Sequence, residues 1–194
     1  MDEKLKNMSP EELKEFQKKQ CIFCHIISGK VQSRKIFSDD TCTAVLDINP
    51  ANPGHILLLP NEHYPIMPLI PDDVVGKLFV VARSLSNALL KALKAEGTTI
   101  FAANGLVAGQ KAQHFMIHII PRMPNDGIEF KLPQKQMMQK DMDEVHKRVT
   151  KRLNELLGIK TQEESAPAAK KLPKQQPKVQ TEVDLDTIAR FLQK

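Results

Sequence analysis

Gln113-His114-Phe115-Met116-Ile117-His118-Ile119-Ile120-Pro121-Arg122 decides how this 194-residue chain is read. Side chains at i, i+2 and i+4 of a strand share a face. The stretch therefore predicts a strand with His114, Met116, His118 and Ile120 on one side and Phe115, Ile117 and Ile119 on the other. The second face is apolar enough to be core, while the first sets a thioether between two imidazoles. Directly upstream lies the glycine-containing loop Asn104-Gly105-Leu106-Val107-Ala108-Gly109-Gln110. Such loops bring backbone N–H groups close to an anion. Loop and strand together suggest a phosphate site beside a histidine face. An ordinary half-buried strand with two hydrogen-bonded histidines would show the same alternation.

Outward from this stretch, the pattern alternates short strands with helices. Ser9-Pro10-Glu11-Glu12 is a helix start, with Ser as N-cap, Pro at the first helical position and acids in the first turn. That helix runs to about Lys19. A second short helical segment carries Cys24 to Ser28 and stops at Gly29. Strands are predicted at Lys35–Ser38, Thr41–Asp47 and Ile56–Leu59. Pro71-Asp72-Asp73 opens the longest helix, where Val74, Leu78, Val81, Leu85, Leu89 and Leu93 recur at helical spacing and Gly97 follows. Thr98–Ala103 is the next strand. Asp141–Leu157 reads as a final helix, with Val145, Val149, Leu153, Leu156 and Leu157 on one side and Gly158 as its stop. The order predicts an α+β fold with a mainly antiparallel sheet, one long helix and several short ones.

From Thr161 to Thr181 Glu, Ser, Ala, Pro, Lys and Gln dominate and aromatics vanish. Such a segment cannot bury enough apolar surface to offset its ordering entropy. Val183–Leu192 then regains helical apolar spacing, fit either to dock on its own domain or to enter a groove on another protein. The expected organisation is a helical extension at 1–20, a domain at 21–158, a disordered linker at 159–181 and a short amphipathic helix at 182–194. No apolar run is long enough to span a bilayer, and charges occupy the N-terminus where a secretory signal would be apolar. The expectation is a cytoplasmic protein without a membrane segment. The net charge of +5 lies partly in the tail and says little about the domain's ligand. Three cysteines, two of them as Cys-x-x-Cys, fit a reducing compartment better than a disulfide scaffold.

Cys21 and Cys24 have the spacing of half a structural zinc site, although Cys-x-x-Cys also suits a redox pair or two buried small residues. Asp47 follows the apolar pair Val45-Leu46, and a carboxylate there can accept bonds from two vicinal hydroxyls. It can also be a turn residue, since Asn49-Pro50 follows. Asn104, Gly109, Gln110 and Lys111 can line a phosphate with amide donors and one point charge. His55, after Gly54, is a candidate support for the site. Cys42 has a packing role only.

The histidine strand resembles the active-site strand of the histidine triad (HIT) family of nucleotide-binding proteins, which reads His-x-His-x-His before apolar residues and often Ile-Pro-Arg. Cys21–Gly29, Leu46-Asp47-Ile48-Asn49-Pro50, Gly54–Pro60 and the Asn104–Gln110 loop are similar to further segments of the family, over roughly residues 20–158. The resemblance implies the HIT fold, a homodimer with the helix Asp72–Ala95 and the following strand near the two-fold axis, and a purine nucleotide or related phosphate compound as ligand. It implies that Asp47 holds the ribose, that Ile22, Phe23, Ile26, Leu46 and Ile48 surround the base, and that the loop with Asn104, Gly109 and Gln110 holds the phosphate, with Lys111 standing where the family often has a serine. It also implies that His63 and His114 join Cys21 and Cys24 around a structural zinc ion. His118 matches the third triad position, which supports the nucleophile in active relatives.

Met116 stands where the family has its nucleophilic histidine. Active relatives form a covalent nucleotidyl-imidazole intermediate. A thioether cannot, because its adduct at phosphorus would be a sulfonium-like cation with no proton to manage. His118 lies about 7 Å farther along the same face, so the spacing predicts that it does not fill the vacated position. The expected function is nucleotide binding with impaired or altered hydrolase or transferase chemistry. The rivals are a hydrolase or transferase of nucleoside phosphoramidates, dinucleoside polyphosphates or adenylylated groups that uses another residue or a water, and an adaptor acting through the C-terminal helix.

Overall fold

The computed structural model describes residues 8–159, so the expected linker and C-terminal helix lie outside the described residues. The chain divides into two compact units, Met1–Lys131 and Leu132–Lys194. The first contains α1 (Pro10–Gln20), α2 (Ile22–Ile27), β1 (Lys35–Ser38), β2 (Cys42–Leu46), β3 (Ile56–Pro60), α3 (Asp72–Ala92), β4 (Gly97–Phe101) and β5 (Ile117–Arg122). The second contains α4 (Gln139–Leu157).

The five strands form one antiparallel sheet in the order β1-β2-β3-β5-β4, as the alternating pattern predicts. Both faces of the sheet are covered. Leu78, Val81, Ala82, Leu85 and Leu89 of α3 pack with Ala44, Ile56, Leu58, Phe115, Ile117 and Ile119 in the main core. On the opposite face Val45, Leu57 and Leu59 form a smaller cluster with Phe23, Ile26, Ile27 and Met116. All five residues of β3 are buried, which explains why Ile56–Pro60 reads as a continuous apolar run and not as an alternation.

The predicted alternation of residues 114–120 holds, but the strand is shorter than the pattern implies. Phe115, Ile117 and Ile119 enter the main core, whereas Met116 faces the other way. The ladder to β3 pairs Ile119 with Ile56, His118 with Leu57 and Ile117 with Leu58. Continuing that register would set Phe115 against Pro60. Proline has no N–H to give, and the Pro60 carbonyl accepts from His114 Nε2 at 3.1 Å. Hydrogen-bonded pairing therefore stops at Ile117, and Phe115 N–H donates to the Tyr64 carbonyl at 2.6 Å instead.

Two local devices place the site. Gly54 has φ +94°, and a Cβ there would lie 2.5 Å from Leu93 Cδ1 and 3.4 Å from Pro121 Cγ. Only glycine allows this turn to pack so closely while presenting His55 at the head of β3. Asp126 accepts from Arg122 Nε at 2.6 Å, Arg122 Nη2 at 2.9 Å and Asn52 Nδ2 at 2.9 Å. Asn52 also donates to the Pro121 carbonyl, so the Asn52–Gly54 turn is tied to the end of β5.

In the second unit, α4 ends as predicted at Gly158, which takes the left-handed conformation with φ 65°. No residue of α4 is buried, and Val145, Val149, Leu153, Leu156 and Leu157 are all exposed. The expectation of one domain over 21–158 thus differs from the observed division, which falls before α4. Helical periodicity shows that an apolar stripe exists but not what covers it. Among the described residues no helix is long and apolar enough to cross a membrane.

Candidate functional site

Two clusters of chemistry-bearing side chains lie on the α2 side of the sheet. The first joins Cys21 and Cys24, which flank the start of α2, to His63 after β3 and His114 before β5. One donor atom from each lies within 4.8 Å of all the others. Cys21 Sγ is 3.5 Å from His114 Nδ1, Cys24 Sγ is 3.6 Å from the same nitrogen, and Cys24 Sγ is 3.4 Å from His63 Nδ1. A tetrahedral centre with M–S bonds of about 2.3 Å and M–N bonds of about 2.1 Å separates sulfur from nitrogen by about 3.6 Å. The protein atoms already mark those edges. His114 Nε2 donates to the Pro60 carbonyl, which turns the Nδ1 lone pair toward the thiols, as an outer partner of a metal-bound imidazole does.

This pocket is an uncomfortable place for polar groups without a cation. His114 is fully buried, and His63 Nε2 has no partner. Burial pushes the Cys24 thiol up to about 12 and brings the His114 imidazole down to about 4. A metal ion reverses the first effect by stabilising the thiolate. The four residues fit a closed metal centre of two sulfurs and two nitrogens.

The second cluster lines a cavity of about 440 Å³. Its walls include Phe23 from α2, Asp47 after β2, His55 before β3, Phe101 at the end of β4, Gly109 to Ala112, and Met116 and His118. Asp47, His55 and His118 cluster, one donor atom of each within 4.8 Å of the others, and His55 Nδ1 accepts from Ala51 N–H at 3.3 Å. Asp47 Oδ2 is 3.3 Å from His55 Nδ1, and His55 Nε2 is 3.0 Å from His118 Nδ1. The His118 ring stacks on Phe101 with centroids 4.5 Å apart and planes 3° apart. Burial lowers the pKa of His55, with Asp47 opposing the shift. Burial also lowers that of His118, helped by His55. Both imidazoles are therefore neutral near pH 7.

The loop before β5 is held by Gln110. Its Oε1 accepts from Gly105 N–H at 2.7 Å, and its Nε2 donates to the carbonyls of Pro65 and Ala112 at 2.6 and 2.9 Å. Gln110 stands on the cavity wall, yet its amide is committed to shaping the loop. Gly109, with φ 90°, closes the 3-10 turn Leu106–Ala108. Lys111 is exposed on the cavity wall.

Of the residues singled out in the sequence, Phe23, Asp47, Gly109, Gln110, Lys111, Met116 and His118 meet at the cavity, and Cys21, Cys24, His63 and His114 meet at the metal-fitting pocket. Asn104 is not on the cavity wall; its Oδ1 accepts from Met67 N–H at 2.9 Å. Ile26 packs beneath the sheet against the cluster of Val45, Leu57 and Leu59. Ile48 is 89% exposed and also lies off the wall. Phe101 was not anticipated. It meets His118 because the two face each other across the β4–β5 ladder, a register that no local pattern reveals. The bond from His55 to His118 likewise depends on the pairing of β3 with β5.

The HIT domain family matches residues 28–125, and the chain belongs to that family. It is 39% identical over 129 residues to an uncharacterised HIT-like protein of Methanocaldococcus jannaschii, covering 66% of this chain and 98% of that one. It is 40% identical over 106 residues to an adenylylsulfatase of Arabidopsis thaliana, covering 55% of this chain and only 54%, about half, of that one. The crystal structure of a zinc-bound histidine triad family protein from Mycobacterium smegmatis superposes with a TM-score of 0.56 at 25% identity, over 72% of this chain and 99% of that chain.

Proposed function

We propose that this chain binds a purine nucleotide or related nucleoside phosphate in the cavity between α2 and the end of β4, and that the covalent nucleotidyl-histidine route of the family is closed to it. The observation that carries this reading is the meeting of Asp47, Lys111, Met116 and His118 on one cavity of about 440 Å³, a size in the range of about 300–1,000 Å³ usual for small-molecule sites. Asp47 keeps lone pairs for ribose hydroxyls beyond those used by Asn49 N–H and His55. Phe23 offers an apolar surface to the base. Lys111 and the loop around Gly109 face the phosphate. Met116 is half-buried among Phe23, Ile26 and Leu57, so its side chain is a wall and not a nucleophile.

Cys21, Cys24, His63 and His114 hold a structural zinc ion in this reading, because four protein donors leave no open position for substrate. The zinc would pin α2 to the entry of β5 and so keep Phe23 beside the cavity. We also propose a homodimer through α3 and the edge strand β4, where Phe79, Val80 and Ile100 leave apolar surface exposed. Light scattering at micromolar concentration tests this, and a monomer would count against it.

Titration calorimetry with adenosine and guanosine monophosphates tests the binding reading. Affinities between micromolar and millimolar are expected, roughly −8 to −4 kcal/mol. The absence of binding by either nucleotide would overturn it. Met116→His restores an imidazole beside His118 on the same face and should raise turnover of adenosine 5'-phosphoramidate by orders of magnitude.

A further inference from the structure

We propose that the cleft between α1 and α2 is a second subsite, which takes an uncharged, largely apolar group carried on the phosphate of the bound nucleotide. The inference rests on the reading of the neighbouring cavity as a nucleoside phosphate site, and it names the class of compound that site would take. The cleft has a volume of about 450 Å³, close to the 440 Å³ of the nucleotide cavity. Phe23 and Ala112 line both. Ala112 directly follows Lys111, which faces the phosphate in that reading, so a group attached to the phosphate enters the cleft past Ala112. One wall is α1, which precedes residues 28–125 that match the HIT domain. The cleft is therefore an addition to the domain and not a part of it.

The sequence of α1 builds this wall. Its start is closed by a reciprocal cap: Ser9 Oγ accepts from Glu12 N–H at 3.2 Å, and Glu12 Oε2 accepts from Ser9 N–H at 2.8 Å. Leu13, Phe16, Gln17 and Gln20 follow at the spacing of one helical face, and all four line the cleft. The cations of α1 are held elsewhere. Lys14 and Lys18, one turn apart, reach the two carboxylate oxygens of Glu62 at 3.4 and 3.1 Å. Lys14 Nζ also lies 5.6 Å from the centre of the Tyr64 ring. Exposed ion pairs add little stability, but these tie α1 to the segment after β3 and turn its uncharged face toward α2.

The lining selects its occupant. It contains no carboxylate, ammonium or guanidinium group. A further phosphate would enter without a counter-charge and lose hydration that nothing in the cleft replaces. Phe16, Ile22 and Phe23 offer apolar surface, and Ile22 is 50% exposed. Covering that surface favours an apolar group. Gln17, Gln20 and Gln113 add neutral donors and acceptors at the rim, which suit an occupant with a few uncharged polar atoms. An aryl or alkyl group joined to the phosphate meets these terms, whereas a polyphosphate chain does not. The nucleoside and this group would then sit in adjoining pockets, with Lys111 the one cation beside the phosphate that joins them.

The test is titration calorimetry on the full-length protein with four probes: adenosine monophosphate, its methyl phosphate ester, its 2-phenylethyl phosphate ester, and adenosine diphosphate. The two esters carry the same charge and differ only in the apolar group. The phenylethyl ester should bind about 10-fold or more tighter than the methyl ester, the gain expected from covering a phenyl ring, and tighter than adenosine diphosphate. Gln17→Trp fills the cleft from the α1 side and should bring that preference below about 3-fold, with the affinity for the methyl ester unchanged. Phe16→Ala removes an apolar surface of the same wall and should act in the same direction. An unchanged affinity for the methyl ester in either variant shows that the nucleotide cavity is intact. If adenosine monophosphate does not bind, both this proposal and the nucleotide reading fall. If it binds and the two esters bind equally, the subsite alone is overturned. A phenylethyl preference that survives both substitutions overturns it too, because the ring would then lie elsewhere, and so does tighter binding of the diphosphate, because the cleft would then accept charge.

Discussion

Replacing Cys24 by serine should abolish the zinc binding proposed for the Cys21–Cys24–His63–His114 pocket. Cys24 is buried and its sulfur lies within 3.4 to 3.6 Å of both His63 and His114, so it shares edges with two of the other donors. A serine hydroxyl is a poor zinc ligand at neutral pH, and three remaining ligands leave the ion open to water and chelators. If the natural protein sees zinc at about 1,000 times its dissociation constant, the metal contributes roughly 4 kcal/mol to folding. A domain of this size shifts its Tm by about 3–5 °C per kcal/mol, so losing the ion should lower Tm by about 12–20 °C. Cys42→Ser is the control. Cys42 is fully buried in the main core, where a hydroxyl costs about 1–3 kcal/mol but touches no donor of the pocket. Elemental analysis and thermal melts with and without chelator read the difference. The expected pattern is about one zinc per chain and a chelator-sensitive melt for the natural protein and for Cys42→Ser, with neither property in Cys24→Ser. A Cys24→Ser protein that retains a full equivalent of zinc, or a natural protein whose melt ignores chelator, would refute the reasoning.

Gly54→Ala combines positive φ with a 2.5 Å approach to Leu93 Cδ1 and should cost about 1–3 kcal/mol, read as a lower urea midpoint; an unchanged midpoint would mean that the turn relaxes freely. Gln110→Ala removes three bonds that shape the loop and should lower stability by about 1–3 kcal/mol and weaken adenosine monophosphate binding, so an unaltered affinity would detach the loop from the ligand site. The pH dependence of stability follows from His55 and His118, whose folded pKa values lie below the unfolded imidazole value. Between the folded and unfolded values the unfolded chain binds more protons, so the stabilisation is complete above pH 6.5 and is lost as pH falls toward the lowered values. Chemical denaturation at pH 7.5, 6.5 and 5.5 should show falling midpoints, less steep in His118→Gln; rising midpoints would contradict the burial of neutral rings.

What was legible in the sequence and what was not separate along a physical line. Side-chain alternation depends on two backbone dihedrals per residue, so it survived even where the ladder failed: Met116 faces the α2 side although hydrogen-bonded pairing starts at Ile117. The end of the pairing was hidden because it depends on Pro60, which meets Phe115 only when two strands remote in sequence align. Long-range register also decided which groups meet His118. From sequence spacing, His118 was only a histidine two residues beyond Met116. In the fold, β3 brings His55 to one of its nitrogens and β4 brings Phe101 to its ring face. Asn104 shows the converse. A side chain apt for a phosphate is spent instead on the backbone of Met67, because that N–H had no other partner within the turn. The residue types in a motif therefore delimit what a site can do, and the register of the sheet decides which of those groups remain free to do it. Here the register joins His55 to His118 and stacks Phe101 on the His118 ring, while Met116 lines the same cavity beside them.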